Sequence, residues 1–199
     1  FKITPAGQTP LTITGTREQV YYGDTIQLGT TGGNGTVTWT VSDGSIASIT
    51  NNGLLKITGV GSVTVTATST KTGYDDQTAT WTLYAEKKPV TAVVTAQSKT
   101  YDGNETAAVT AVLNASDLVG SDTFTITLSG SFEDPNAGTD KKVKVDSSNP
   151  RFSTGSTVHE NYRITYPSTT TATIFKAEVT NVTAPTAATG LEYTGLAQA

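Results

Sequence analysis

A tyrosine-containing turn recurs along this chain at intervals of about 80 and about 90 residues, the length of a small β-sandwich. It occurs as Tyr22-Gly23-Asp24, as Tyr101-Asp102-Gly103 and as Tyr193-Thr194-Gly195, and the last two extend to the pattern Tyr-x-Gly-x-x-x-Ala. Recurrence at the length of one domain is typical of tandem modules. We therefore expect two complete modules and the start of a third, as an excerpt of a longer tandem array.

Short segments in which apolar and polar residues alternate predict that the chain is all-β, because successive side chains of a strand point to opposite faces. The segment Thr36–Val41 places Val37, Trp39 and Val41 on one face and threonines on the other. The same alternation in two later segments extends the set that we expect to be buried in one core: Val37, Trp39, Val41, Val63, Val65, Trp81 and Leu83. An exposed pair of tryptophans that stacks on sugar rings is the alternative.

The repeat and the turn residues divide the chain into four parts. Residues 1–10 are expected to be a lead-in from a preceding module, 11–86 a first β-sandwich, 87–176 a second, and 177–199 a junction and the start of a third repeat. Glu86-Lys87-Lys88-Pro89 is polar, and Pro89 cannot donate to a β-ladder. We interpret this segment as a short, stiff hinge between modules that fold separately.

Composition excludes several classes of function. The chain of 199 residues has a net charge of −4 and a pI near 4.9, which argues against a nucleic-acid partner because phosphate binding needs a basic face. No apolar run has membrane-spanning length, so membrane insertion of this segment is not expected. The absence of cysteine fits a bacterial surface protein better than a secreted eukaryotic sandwich, which often carries a disulfide.

We predict no catalytic, cofactor-binding or metal-binding residues, and no cofactor. His159 is the only histidine, and no Gly-x-Ser-x-Gly motif is present, so we interpret His159 as part of a surface turn. Acidic residues cluster without the spacing of an EF-hand, and we interpret them as solvated turns rather than Ca²⁺ ligands or a glycosidase pair. These residues are Asp75, Asp76, Asp117, Asp122, Glu133, Asp134 and Asp140.

The recurring turn has a structural interpretation. In Tyr101-Asp102-Gly103 the tyrosine is expected to pack against the edge of the core, the aspartate to cap the turn, and the glycine to adopt a conformation closed to other residues. Three tyrosines, Tyr21, Tyr74 and Tyr84, are expected to be exposed and are candidates for glycan contact. An intramolecular isopeptide cross-link would need a buried lysine. The alternation of its strand predicts that Lys56 points outward, which argues against such a cross-link there.

The first module resembles bacterial Ig-like domains of group 2, which occur in invasin- and intimin-type surface proteins. The resemblance rests on five ordered segments: Trp39-Thr40-Val41-Ser42-Asp43, Ile46-Ala47-Ser48-Ile49, Asn52-Gly53-Leu54-Leu55, Thr58-Gly59-Val60-Gly61 and Val63-Thr64-Val65-Thr66-Ala67-Thr68. The second module is similar to the Tyr-Asp-Gly (YDG-type) repeats of bacterial surface adhesins. That similarity rests on Lys99-Thr100-Tyr101-Asp102-Gly103, Asp134-Pro135-Asn136-Ala137-Gly138, Lys142-Val143-Lys144-Val145 and Asn161-Tyr162.

These resemblances imply two tandem Ig-like antiparallel β-sandwiches on the extracellular face of a bacterial cell. The implied function is that of a non-enzymatic stalk in cell adhesion, which spaces and presents distal domains. Its expected partners are neighbouring repeats of the same chain. The alternative is a module that binds a carbohydrate or a host surface protein through the loops at one end of a sandwich.

Overall fold

A computed structural model describes residues 4–153, 158–180 and 182–183, and within these the chain forms seventeen strands and two single-turn 3₁₀ helices. The strands form two β-sandwiches, each with its own apolar core. Antiparallel pairs make up most of both sandwiches, and three short pairs are parallel. The all-β fold predicted from alternation is confirmed.

The first sandwich contains nine strands. They are β1 (Thr12–Thr14), β2 (Val20–Tyr21), β3 (Thr25–Gln27), β4 (Gly29–Thr31), β5 (Thr36–Val41), β6 (Ala47–Ile49), β7 (Leu54–Ile57), β8 (Gly61–Thr70) and β9 (Gln77–Glu86). Four strands form one sheet in the order β2-β9-β8-β5, and three form another in the order β3-β7-β6. The remaining pair, β1 and β4, is antiparallel.

The core of the first sandwich lies between the two larger sheets. Leu55 and Ile57 from one sheet and Val63 and Val65 from the other are essentially inaccessible to solvent. Val63, Val65 and Leu83 are buried as predicted, but Trp39, Val41 and Trp81 are only half-buried against this core, and Val37 is half-buried outside it. The expected full burial is therefore wrong for these four residues.

The position of β5 explains the difference for three of the four. This strand is the edge of its sheet, so its side chains have a neighbouring strand on one side only. Trp81 lies on the central strand β9, opposite Val65, and packs against the core while only half-buried, as is common for a side chain of this size. Neither indole is exposed as a sugar-stacking platform would require.

The second sandwich contains eight strands. They are β10 (Lys88–Thr91), β11 (Val93–Ala96), β12 (Lys99–Thr100), β13 (Thr106–Val112), β14 (Ile126–Phe132), β15 (Gly138–Phe152), β16 (Tyr162–Thr165) and β17 (Thr169–Phe175). The two 3₁₀ helices are Ala115–Asp117 and Val158–Asn161. Six strands form one sheet in the order β11-β13-β14-β15-β17-β12, and β10 pairs in parallel with β16.

The six-stranded sheet curls around its own core. Its first strand, β11, approaches β17, and the Thr170 hydroxyl donates to the Val94 carbonyl across the gap. Ile126, Phe132, Val143 and Ile174 are fully buried inside. The stretch Val90–Ala96 is not one continuous strand, because Ala92 donates its N–H to the Thr165 carbonyl while the residues after it pair with β13.

The segment before β1 packs onto the first sandwich. Gln8 is buried, and its side-chain amide donates to the backbone carbonyls of Ser69 and Asp75, both at 2.9 Å. Its Oε1 accepts hydrogen bonds from the Asn34 N–H and the Ser69 hydroxyl. Residues 4–10, which the sequence analysis treats as a lead-in, therefore contribute contacts to this sandwich.

Candidate functional site at the junction

The two sandwiches meet at a junction with a single residue between strands. Strand β9 ends at Glu86 and β10 begins at Lys88, so only Lys87 separates the last strand of one sandwich from the first of the next. The Tyr22 N–H donates to the Glu86 carbonyl at 2.9 Å and so ties the first recurring turn to the same point. The chain can therefore change direction here only at Lys87 and its immediate neighbours.

Apolar side chains from both sandwiches cover this connection. Tyr22, Val90 and Tyr162 form a buried cluster, in which Tyr22 is 7% and Tyr162 4% exposed. The tyrosine rings meet edge to face with centroids 5.5 Å apart, a geometry favoured by their opposed edge and face charges. Further half-buried residues pack around them: Val60 from the first sandwich, and Leu113, Leu118, Val119, Phe124 and Ile164 from the second. The junction is a small second core that belongs to both sandwiches.

One carboxylate organises the polar side of this cluster. The hydroxyls of Tyr22 and Tyr162 both donate to Oδ2 of Asp122, at 2.9 and 2.6 Å. The Val119 N–H donates to the Tyr162 hydroxyl at 2.8 Å, which fixes the loop that carries Asp122. Because Tyr22 and Asp122 come from different sandwiches, this arrangement joins the two by directed hydrogen bonds as well as apolar contact.

The same arrangement changes the acid–base behaviour of both tyrosines. Burial, and then the hydrogen bond to Asp122, raises the pKa of Tyr22 to about 12. The same two causes raise the pKa of Tyr162 still further above its ordinary value. Both effects have one origin, since a phenolate would be poorly solvated here and would face the charge of Asp122. Both hydroxyls therefore stay protonated, as donors, throughout the physiological pH range.

Gly23 allows the second sandwich to approach this closely. Its φ of 87° lies in the left-handed region that favours glycine. A Cβ added at this position would lie 2.3 Å from a methyl carbon of Val119, well inside van der Waals contact. The glycine of the first recurring turn thus permits both the turn and the contact between sandwiches.

The second recurring turn differs from its expected structure in one respect. Asp102 accepts a hydrogen bond from the Asn104 N–H, and Gly103 has a φ of 77°, so both roles assigned to these residues are confirmed. Tyr101 is 45% exposed, so its expected packing against the core edge is wrong. Lys99 forms an ion pair with Asp102 at 2.8 Å, which lowers the pKa of that carboxyl.

The third recurring turn, Tyr193-Thr194-Gly195, lies outside the described residues.

The remaining polar candidates have local structural contacts. The His159 ring stacks on Phe152 with centroids 4.0 Å apart and is half-buried rather than free on a surface turn. Asp134 accepts a hydrogen bond from the Asn136 N–H and pairs with Lys141 at 2.6 Å, and both contacts lower its pKa. Lys56 is exposed, as its alternation predicts.

The part of the chain that the structure describes contains neither a cluster of metal ligands nor a membrane-spanning helix. No three His, Asp or Glu side chains there converge as metal ligands would. No helix there is long and apolar enough to cross a membrane.

The surface carries two depressions of interest. A cavity of about 600 Å³ on the second sandwich is lined by Phe132 and by charged side chains of both signs, including Glu133 and Lys142. A smaller crevice of about 290 Å³ lies beside the junction, between Val60, Tyr84, Glu86, Lys87 and Arg163. Of the three tyrosines expected to be exposed, only Tyr84 is so, at 62%; Tyr21 and Tyr74 are half-buried.

The junction could not be predicted from the sequence because no local pattern marks it. Its residues come from five separated segments, and Asp122 was interpreted as a solvated turn residue. One signal was available. The segment Leu118-Val119-Gly120 has two aliphatic residues in a predicted loop, where polar residues are the norm, which suggests that another part of the chain covers them.

Comparison with known proteins finds two family models that match in succession along the chain. Residues 9–81 match the family model of the bacterial Ig-like domain (group 2), and residues 86–172 match that of the YDG domain. No curated protein sequence matches the chain.

Solved structures that resemble the chain include two of intimin. An intimin mutant from EHEC O157:H7 is 24% identical with a TM-score of 0.31, over 49% of this chain and 50% of that one. Intimin in a complex with Tir90 is 21% identical with a TM-score of 0.34, over 50% and 54%. The chain thus spans about half the length of each.

Proposed function

We propose that this chain, which joins a bacterial Ig-like domain of group 2 to a YDG domain, is a stiff stalk segment of a bacterial cell-surface adhesin. Both families are non-enzymatic modules of surface proteins, which supports an extracellular, adhesive setting. The module boundaries that we propose are residues 11–86 and 87–176. In this function the segment holds distal domains away from the cell, and the neighbouring modules of the same chain are its main partners.

The junction is the observation that carries this proposal. A spacer needs a fixed angle between its modules, because a flexible linker lets the distal end fold back towards the cell. Here the linker is one residue long, and the contact between modules includes an apolar cluster and two hydrogen bonds to Asp122. An enzyme or a simple binding module would gain little from such a joint.

Nuclear magnetic resonance tests the stiffness directly. If the modules form one rigid unit, ¹⁵N relaxation gives both the same rotational correlation time, and residual dipolar couplings from both fit a single alignment tensor. Asp122→Ala should separate the two tensors. Asp117→Ala, which removes a carboxylate five residues away that bonds only Asn114 among described contacts, should leave them common. Two independent tensors in the unaltered chain would contradict a stiff stalk.

The crevice beside the junction favours a second function, the binding of a carbohydrate or a host protein. Tyr84 presents an exposed ring, and Glu86 and Arg163 offer an acceptor and donors next to it. This is the usual combination in sugar sites, where a ring stacks on the sugar face and charged groups bond its hydroxyls. Glycan-array binding that is lost in Tyr84→Ala and kept in Tyr101→Ala would support this function. An array without binding leaves the spacer as the function of the segment.

A further inference from the structure

The recurring turn occupies the same structural position in both modules. In the first, β2 pairs in parallel with the end of β9, and the Tyr22 N–H then donates to the Glu86 carbonyl at 2.9 Å. In the second, β12 pairs in parallel with the end of β17, and the Tyr101 N–H donates to the Phe175 carbonyl at 2.8 Å. Tyr22 therefore corresponds to Tyr101, and Glu86-Lys87 corresponds to Phe175-Lys176.

The correspondence continues beyond these residues. Val90-Thr91 follows Lys87 after two residues, and Val179-Thr180 follows Lys176 at the same distance. Val90 is buried beneath Tyr22 in the junction cluster. The pattern Lys-x-x-Val-Thr, which begins at Lys87 where the second module contacts the first, thus occurs again at Lys176 after the second module.

The two ends differ in what covers them. At the junction Tyr22 is 7% exposed because Val119 and Tyr162 of the next module cover it. At the end of the second module Tyr101 is 45% and Phe175 56% exposed, and Val179 is more exposed still. We refer to Tyr101, Phe175 and Val179 as the distal face. The backbone hydrogen bond from Tyr101 to Phe175 places two of these exposed apolar side chains at the same end of the module, where the first module is covered by its neighbour.

We propose that the distal face is the docking surface for a following β-sandwich of the YDG type, which covers Tyr101 as the second module covers Tyr22. The partner presents an aliphatic loop and a carboxylate, in the manner of Val119 and Asp122, and the carboxylate accepts a hydrogen bond from the Tyr101 hydroxyl. This proposal rests on the proposed stalk function and extends it to a second, identical joint.

Charge at the distal face fits this partner. The ammonium of Lys99 is held by Asp102 and by Asn104, so the ion pair is satisfied within the turn and leaves the aromatic groups as the main feature of the face. Within the turn, an apolar loop therefore meets no unpaired lysine to desolvate, and the exposed charges next to Phe175 and Val179 are those of Lys176 and Glu178.

The test uses a tandem chain in which residues 1–176 are followed by a second copy of residues 88–199, so that Lys176 takes the place of Lys87. Thermal unfolding is compared for this chain and the 199-residue chain. Tyr101→Ala should lower the melting temperature of the tandem chain by several degrees and that of the shorter chain by much less. The control is Tyr84→Ala, an exposed tyrosine of the first module and away from the distal face, which should behave alike in both chains.

Equal effects of Tyr101→Ala in the two chains would overturn the docking proposal, as would a glycan that binds the shorter chain through Tyr101. Asp122→Ala in the first copy of the second module separates failure of the docking proposal from failure of the stalk function. If Asp122→Ala loosens the first junction while Tyr101→Ala has no effect on the second, the stalk function stands and the distal face is not a joint.

Discussion

Asp122 is the residue on which the junction depends most, since two tyrosine hydroxyls from different modules donate to one of its oxygens. Asp122→Ala leaves both hydroxyls without that acceptor in a buried cluster. The loss should lower the free energy of unfolding by about 1–3 kcal/mol, the cost of buried polar groups left unsatisfied. Urea denaturation measures it, with Asp117→Ala as a control expected within about 0.5 kcal/mol of the unaltered chain. Equal effects of the two substitutions would show that Asp122 has no special role.

Tyr22 makes the stability of the junction sensitive to high pH. Its pKa is about 12 in the folded chain and about 10.0 when unperturbed. Above pH 10 the unfolded chain loses this proton while the folded chain keeps it, so the contribution of Tyr22 to stability is complete below pH 10 and declines as the pH rises to 12.

The comparison with Tyr22→Phe isolates this effect, because the two chains differ only in the Tyr22 hydroxyl. The difference in unfolding free energy between the two should be constant from pH 7 to 10 and should shrink from pH 10 to 12. A difference that does not change across this range would mean that Tyr22 ionises normally in the folded chain.

Among the elements, residues 4–10 before β1 have one buried side chain, that of Gln8, in addition to backbone hydrogen bonds at Ala6 and Thr9. Gln8 satisfies two backbone carbonyls, an N–H and the Ser69 hydroxyl, and Ser69 is itself fully buried. Gln8→Ala should therefore destabilise the first sandwich by about 1–3 kcal/mol. Gln19→Ala, at an exposed position, should cost less than about 0.5 kcal/mol. Guanidinium unfolding of both variants measures the difference, and a neutral Gln8→Ala would show that this segment is only loosely attached.

Alternation predicted the positions of the strands well, but it overestimated burial on the edge strand of a sheet. It located β5, β8 and β9 and the buried faces of the last two, because a sheet with a core on one side imposes a period of two. It did not predict that β5 is an edge strand, because sheet order is set by topology and not by local pattern. For that reason Trp39→Ala should cost less than the roughly 3–5 kcal/mol of a fully buried aromatic residue. It also could not divide Val90–Ala96, in which no turn residue marks the change of sheet at Ala92.

In the whole molecule, the repeat predicted two modules, but the way in which they join required the structure. Val60, Val119 and Tyr162 are ordinary residues in their local sequence, and they meet only because the fold brings distant segments to the junction. The polar composition of Glu86–Pro89 suggested modules that fold independently. Each does have its own core, but the shared cluster couples them, so the stability of one module should depend on contacts with the other.

A measurement of the distance between the modules tests the central claim that this junction is stiff. The chain has no cysteine, so cysteines introduced at the exposed positions Thr38 and Thr171 can be spin-labelled without competition. A flexible glycine–serine insertion between Lys87 and Lys88 provides a matched control. Pulsed electron paramagnetic resonance should give one narrow distance distribution for the unaltered junction and a broad one for the insertion. A broad distribution in both would contradict the account.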